Sequence, residues 1–541
     1  MNLKHIIKEI ISSALKELNI DIKEKQIVIE VPKKRENGDF SSNIAMQLTK
    51  VLKDNPRSIA EKIKSIVEKN ENINKVEIAG PGFINIYLED SFVFSGIKTV
   101  IEKDSNYGKS TIGNNKKINI EFVSANPTGI LHLGTARGAA YGSNLANIMS
   151  FCGYDVTKEY YVNDGGNQIE NLGISLKERY KGLCGMEEDM PEDGYYGDEI
   201  KEIAKSIYDE YKDQKLGEDL EFFKEIAVNH LLSIIKTDLS NFGVTFDVWT
   251  SEKSIRSKGR IEESLKILDK KGLIYEKDNA TFLKTTVYGD DKDRVLIKTD
   301  NTYTYLVPDI AYHLDKFDRG FDYLIDVFGA DHHSYVSRLK ASIEALGYDK
   351  DKLEVRLLQM VRLLKAGQIV KMSKRTGGNI TISELVDEVG KDSARYFFAS
   401  RSLDGQMDFD IDLAVKKSND NPFFYVGYAH ARICSILEEA KNKNITMNLE
   451  INEMDEDSKA LLLKVYEFSD IVEVSSLKKE PHLITNYVYE LASLFHNYYG
   501  KHRILTDDIL LSQNRLSLIK TVGITIKNAL NLIGVTAPTK M

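Results

Sequence analysis

Apolar residues recur at helical intervals from the first turns of the chain. Ile6, Ile7, Ile10, Ile11, Leu15 and Leu18 alternate with Lys4, Lys8, Glu9, Lys16 and Glu17, which predicts a helix with one apolar face. Residues 26–32 read as a strand and 36–39 as a turn. Residues 58–68 read as a second helix, and Phe83–Leu88 as a strand entered through Gly80-Pro81-Gly82. Residues 1–108 are therefore expected to form an N-terminal α+β domain.

From Lys116 the pattern changes to short apolar segments at 118–123 and 156–162, separated by a helical stretch over 134–151. Further strands are expected at 303–307 and 323–328. Strands alternating with helices predict a parallel, doubly wound sheet that takes its ligands at the carboxyl ends of the strands. This core is assigned to residues 109–411, with 172–283, highly charged and mostly helical in period, as an insertion covering the sheet. From about Asp412 strand signals disappear. Helical stripes at 423–439, 457–474, 482–499 and 513–532 predict an all-α bundle over 412–541. The fold class is thus multidomain α/β, with a Rossmann-like parallel core between an α+β domain and a helical bundle.

Composition narrows the class. The 541 residues are 42% hydrophobic and 29% charged with a net charge of −9, a globular balance long enough for about three or four domains. Cys152, Cys184 and Cys434 lie far apart without C-x-x-C spacing, which argues against a disulfide framework or a zinc site. No run approaches the ~18 apolar residues of a membrane span. The amphipathic N-terminus resembles neither a signal nor a transit peptide, so the cytoplasm is the expected compartment. The acidic excess disfavours nonspecific polyanion binding but leaves room for local basic surfaces.

Two segments carry candidate chemistry. Gly108-Lys109-Ser110-Thr111 is not one of them, because the first glycine of a P-loop would fall on Lys103. No G-x-G-x-x-G follows the strand that ends near Val123 either. What does follow is Ser124-Ala125-Asn126-Pro127-Thr128-Gly129-Ile130-Leu131-His132-Leu133-Gly134-Thr135, a strand-to-helix turn rich in small residues. The free N–H groups and positive dipole end of a helix start suit a phosphate. His132 adds a donor, and Gly134 admits a flat base. A tight turn capped by a histidine is the plain alternative. The second segment, Gly367-Gln368-Ile369-Val370-Lys371-Met372-Ser373-Lys374-Arg375-Thr376-Gly377-Gly378, sets three cations in five residues beside two glycines. It suits a leaving pyrophosphate, against the plain reading of a solvated basic turn.

Taken in order, the two segments resemble the H-x-G-H and K-M-S-K-S signatures of class I aminoacyl-tRNA synthetases. Thr135 stands where the second histidine would be, and Arg375 replaces the final serine. The resemblance narrows to the arginyl-tRNA synthetase family through Glu121-Phe122-Val123-Ser124-Ala125-Asn126-Pro127-Thr128-Gly129 and Tyr305-Leu306-Val307-Pro308-Asp309-Ile310-Ala311-Tyr312-His313. Gly329-Ala330-Asp331-His332-His333, Gln359-Met360-Val361, Tyr428-Ala429-His430-Ala431-Arg432 and the terminal 532–538 stretch also match, so the likeness runs nearly end to end.

The resemblance implies an enzyme that activates L-arginine with ATP and passes it to the terminal adenosine of tRNA(Arg) through the 2′-hydroxyl. It assigns His132, Gly134, Lys371 and Lys374 to catalysis, and Pro127, Thr128, Gly129, Thr135, Met372 and Ser373 with them to ATP. Arginine falls to Glu121, Ser124, Asn126, Tyr305, Asp309, Asp331 and His332, with Asp309 as the planar acceptor for the guanidinium. For tRNA it points to Phe83 and Asn85 in the N-terminal unit, and to Tyr425, Tyr428, Arg432, Tyr498, Tyr499, Lys501 and Arg503 in the bundle. Mg²⁺ is expected to arrive with ATP, with no zinc and no organic cofactor. A monomer is expected, as is arginine activation that depends on bound tRNA. Two rivals remain: a class I synthetase for another amino acid, such as cysteine, and a non-catalytic tRNA-binding paralogue. The absence of a zinc ligand set opposes the first; His132, Lys371 and Lys374 oppose the second.

Overall fold

The computed structural model describes residues 2–23, 26–32, 34–370 and 380–541. The N-terminal helix Leu3–Glu17 is capped by Asn2 and buries Leu3, Ile7, Ile11 and Leu15 as its spacing predicts. It joins helices Ile44–Leu52 and Pro56–Val67 and a four-stranded antiparallel sheet in the order Ile29–Glu30, Phe40–Ser42, Phe83–Leu88, Ile73–Ala79. The strand expected over 26–32 shrinks to its two paired residues, and the unit has two further strands and one further helix. Helix Asp90–Lys103 then leads away and packs on the C-terminal bundle.

The core is a five-stranded parallel sheet. In chain order its strands are β1 (Lys117–Glu121), β2 (Asp155–Val162), β3 (Val248–Ser251), β4 (Tyr323–Gly329) and β5 (Leu353–Leu358). They lie in the order β5-β4-β1-β2-β3. Helix α1 (Leu133–Phe151) crosses from β1 to β2 and is buried along most of its length. Its small residues permit the close approach: a Cβ on Gly142 would lie 2.1 Å from Cγ of Phe122.

Two expectations for this region are corrected. Segment 172–283 is not a single helical cover, since Val248–Ser251 returns to the parallel sheet as its edge strand. Before it, helices Asn167–Leu183, Asp198–Tyr211 and Leu220–Asn241 form a lobe with its own core. After it come helices Glu252–Ser257 and Arg260–Lys270 and an antiparallel sheet of Ile274–Lys277, Ala280–Leu283 and Arg294–Ile297. Residues 303–307 are not a strand either. Tyr303 makes one isolated bridge to Ile297, and helix α2 (Leu306–Asp318) begins three residues later. Pro308, whose fixed φ fits the first helical turn, and Asp309 at the positive end of the helix dipole favour that start.

The four helices read from the C-terminal stripes are present as Pro422–Asn442, Glu456–Lys478, His482–Lys501 and Ile509–Leu532. Lys459 ties this bundle to the N-terminal unit, donating to Leu88 O at 3.1 Å and pairing with Asp39 and Asp90. Among the described residues, no helix is long and apolar enough to cross a membrane.

Candidate active site

The parallel strands deliver their carboxyl ends to one edge, and β1 leaves it through a strained turn. Val123 and Ser124 have φ of 72° and 40°, a left-handed conformation that costs on the order of 1–3 kcal/mol. The turn folds Ser124 back, so that its hydroxyl donates to Glu121 Oε1 at 2.9 Å and accepts from the Tyr161 N–H at 3.1 Å. Strain at this position is what a ligand-facing strand end shows when its polar groups are held ready.

Beside this turn opens a cavity of about 830 Å³ walled by Glu121, Ser124, Asn126, Glu252, Tyr305 and Asp309, among others. Asp309 projects from the first turn of α2 and accepts a hydrogen bond from the Tyr335 hydroxyl. Burial pushes its carboxyl up to about 6, although the Tyr335 hydrogen bond works the other way. Tyr305 is 79% exposed at the rim, so it is not a core aromatic. Glu252, buried in the wall, is held by Arg256 at 2.8 Å. Asn126 donates to Gln168 at 2.5 Å. Four carboxylates, those of Glu121, Glu252, Asp293 and Asp309, and a set of phenols thus line one cavity together with Lys292, Arg294 and Arg338, and its acids are suited to a cationic side chain.

Beneath the cavity the strand register sets acids side by side. Asp326 of β4 pairs with Glu121 of β1, and Glu121 with Glu159 of β2. Helix α2 covers this row with Lys316, which donates to Glu121 at 2.5 Å and Asp326 at 2.9 Å. One turn on, Arg319 reaches Glu159 at 2.9 Å. Burial works against every one of these charges. Lys316 and His313 nevertheless hold Asp326 down to about 2, and Lys316 and Arg319 hold Glu159 below the usual carboxylate range.

On the other side lies the start of α1. His132 is its N-cap and accepts the Gly134 N–H at Nδ1, 3.2 Å away, which leaves the ring proton on Nε2. The turn is stitched to the strip after the second signature. Leu133 N–H donates to Ile380 O at 2.9 Å, Ile382 N–H to Leu131 O at 3.0 Å, and His132 bridges to Thr381. Lys371, Met372, Ser373 and Lys374 lie outside the described residues. Pro127, Thr128 and Gly129 lie on the approach to α1 and Thr135 in its first turn, none of them in the cavity wall; a Cβ on Gly129 would meet nothing within 4 Å.

Not every expected residue converges. His332 is in the cavity wall; the neighbouring Asp331 is exposed and not part of that wall, its carboxylate 3.2 Å from the His332 ring. Asn85 is 5% exposed and accepts from Ser41 Oγ inside the N-terminal sheet, and Tyr498 is 3% exposed with its hydroxyl 3.0 Å from Ser458. Both side chains are therefore held within their own domains in the protein without tRNA. Phe83 is half-buried at its strand start. In the bundle the Arg432 guanidinium lies between the Tyr428 and Tyr499 rings, at 4.4 and 4.6 Å from their centroids. Tyr425 is half-buried against His496. Lys501, paired with Asp457, and Arg503 are exposed.

Sequence reasoning missed Glu252, Tyr335 and Arg338. Glu252 follows the unrecognised strand β3, so the residue was lost with its strand. Tyr335 and Arg338 stand at helical i, i+3 spacing just after the Gly329–His333 segment, a signal that was available.

Three family descriptions match the chain: "Arginyl tRNA synthetase N terminal domain" over residues 5–88, "tRNA synthetases class I (R), catalytic domain" over 96–406, and "DALR anticodon binding domain" over 426–541. The chain is 49% identical to the arginine–tRNA ligase of Bacillus licheniformis, covering 100% of both chains. It is also 49% identical to that of Bacillus subtilis, covering 100% of this chain and 99% of the other. Its fold is similar to that of Thermus thermophilus arginyl-tRNA synthetase, with a TM-score of 0.78 at 20% identity and full coverage of both chains.

Proposed function

The chain belongs to the arginyl-tRNA synthetase family and joins arginine to tRNA at the expense of ATP, and from that premise we propose how its residues divide the work. The carboxylate of arginine attacks the α-phosphorus of ATP, the bond to the β-phosphate oxygen breaks, and pyrophosphate leaves. The tRNA 2′-hydroxyl then attacks the acyl carbon and AMP departs. Neither step forms a covalent enzyme intermediate, so the protein's contribution is positioning and charge stabilisation.

Asp309 takes the guanidinium, with Tyr335 orienting the carboxylate and Tyr305 closing the rim. Glu121, buttressed by Ser124, takes the α-ammonium, while Asn126 and His332 complete the wall around the α-carboxylate. His132 Nε2 binds ATP and Gly134, which carries no side chain, admits its base, while Mg²⁺ enters with ATP as part of the substrate complex. Lys371 and Lys374 neutralise the departing pyrophosphate. Arg432, Tyr428 and Tyr499 hold unpaired bases of the tRNA. On its likeness to other synthetases the enzyme is assigned to the cytoplasm, with a monomer as the proposed state.

The observation that carries this reading is the pair of carboxylates, Asp309 and Glu121, in one cavity beside the capped start of α1. Aminoacylation of bulk tRNA with each of the twenty amino acids, alongside ATP–pyrophosphate exchange with and without tRNA, tests it. Charging by arginine alone, with exchange only when tRNA is added, is the expected result. Charging by another amino acid overturns the pocket assignment.

A further inference from the structure

The residues that touch substrate in this reading are joined beneath the cavity by a chain of buried charges. Asp309, His313 and Lys316 fall on one face of α2, at i, i+4 and i+7. His313 Nδ1 lies 2.7 Å from the Asp309 backbone oxygen, and its Nε2 lies 2.8 Å from Asp326 Oδ2. A carbonyl and a carboxylate only accept, so both ring nitrogens carry protons and the imidazole is a cation. The other oxygen of Asp326 accepts from Lys316, whose ammonium also grips Glu121 Oε2. His313 is 2% exposed, and Asp326 and Lys316 are fully buried. An unbroken path therefore runs from Asp309 through His313, Asp326 and Lys316 to Glu121.

Such an array is a poor way to stabilise a fold. Apolar residues of the same volume often do as well or better, because each buried ion gives up its hydration. What the array supplies is fixed separation. We propose that Lys316, acting with Asp326 and His313, is a positioning residue that sets the distance between the Glu121 and Asp309 carboxylates and so sets the side-chain length of the guanidinium amino acid the enzyme accepts. The inference rests on the reading of those two carboxylates as the acceptors of the α-ammonium and the guanidinium.

The test uses the full chain in arginine-dependent ATP–pyrophosphate exchange with tRNA present. The substrates are L-arginine and its homologues one methylene shorter (2-amino-4-guanidinobutyrate) and one longer (homoarginine). In Lys316→Gln the KM for arginine is expected to rise about tenfold and the preference for arginine over both homologues, in kcat/KM, to fall about tenfold, with the KM for ATP within about twofold of wild type. Asp326→Asn is the variant that folds most readily. Its amide oxygen still accepts from Lys316 and its NH2 donates to a neutral His313, so every hydrogen bond survives while the charges of Asp326 and His313 are both lost. It is expected to relax the length preference about threefold.

Folded variants that keep the wild-type length preference, or that raise the KM for arginine and ATP together, overturn the proposal. If Lys316→Gln does not fold, Asp326→Asn decides alone. Glu121→Gln separates the two readings. An unchanged arginine KM in that variant refutes the site assignment itself, whereas a raised KM beside an intact length preference in Lys316→Gln and Asp326→Asn refutes only the positioning role.

Discussion

At Asp309 two needs oppose each other: a carboxylate must be ionised to hold a guanidinium, and the walls that keep water from it resist ionisation. Burial raises its carboxyl from the ordinary 3.8 to about 6. In the ligand-free protein the carboxyl therefore stays neutral up to about pH 6, and ionising it costs folding stability, on the order of 1–3 kcal/mol once pH exceeds about 6. Arginine binding has the opposite dependence, since it needs the carboxylate and is lost as pH falls through about 6. The KM for arginine is expected to climb on acidification from pH 7 to 5, approaching tenfold per pH unit below the midpoint, while the KM for ATP does not follow it. Asp309→Asn should remove that dependence by abolishing arginine use, and should raise the thermal midpoint of the ligand-free protein at pH 8 while leaving it unchanged near pH 4. A variant that loses activity and also melts lower at pH 8 would mark Asp309 as structural.

Elements differ in how openly their sequences declare them, and the site inherits the difference. The bundle helices carry long apolar stripes, so all four were legible to within a few residues at most ends. The first strand and α1 were legible for a related reason: an apolar run met a turn of small residues. Strand β3 was not, because Val248–Ser251 is four residues at a sheet edge, none of them fully buried, with no room for a period to show. The stretch 303–307 misled in the other direction, its aromatic and β-branched residues reading as a strand until Pro308 is taken as a helix start. Among tyrosines of the bundle, periodicity alone could not separate Tyr428 from Tyr498, since both sit on amphipathic helices and only packing decides which ring is covered. Arg432→Ala and Tyr428→Ala are accordingly expected to weaken tRNA binding by about tenfold each at moderate salt, with Arg432→Ala also reducing the salt dependence. Tyr498→Phe should leave tRNA affinity unchanged and cost about 1 kcal/mol of stability through the lost bond to Ser458. Filter binding across a salt series, with urea denaturation of each variant, checks both.

At the scale of the whole molecule, the three regions must hold their relative positions for one tRNA to reach both the bundle and the sheet. Arg395 is where the packing concentrates that requirement. It is fully buried on helix Lys391–Ala399, and its guanidinium donates to Ser143 and Asn144 of α1, to the backbone of Phe242 and Gly243 at the end of the helical lobe, and to Ile533 past the last helix of the bundle. None of these hydrogen-bond partners is a carboxylate, so the cation is solvated by dipoles drawn from three separate segments. Burial accordingly lowers its pKa to about 10. The arrangement leaves no room beside it: Gly534 has φ of 68°, and a Cβ there would lie 2.1 Å from the guanidinium. Arg395→Met would strand five acceptors without a donor, and Gly534→Ala would force the guanidinium aside and strain the backbone as well. Each is expected to cost about 2–4 kcal/mol. Because the lost contacts join regions rather than fill one core, the loss should appear as a separation of the unfolding transition into two steps. Trp249 provides the means to see it, as the single tryptophan of the chain, placed on β3 of the sheet. Its fluorescence is expected to report a transition displaced from that seen by far-ultraviolet circular dichroism, to which the helices of all three regions contribute. Coincident transitions in both variants would mean that the regions unfold as one unit regardless of Arg395, and that its contacts are local.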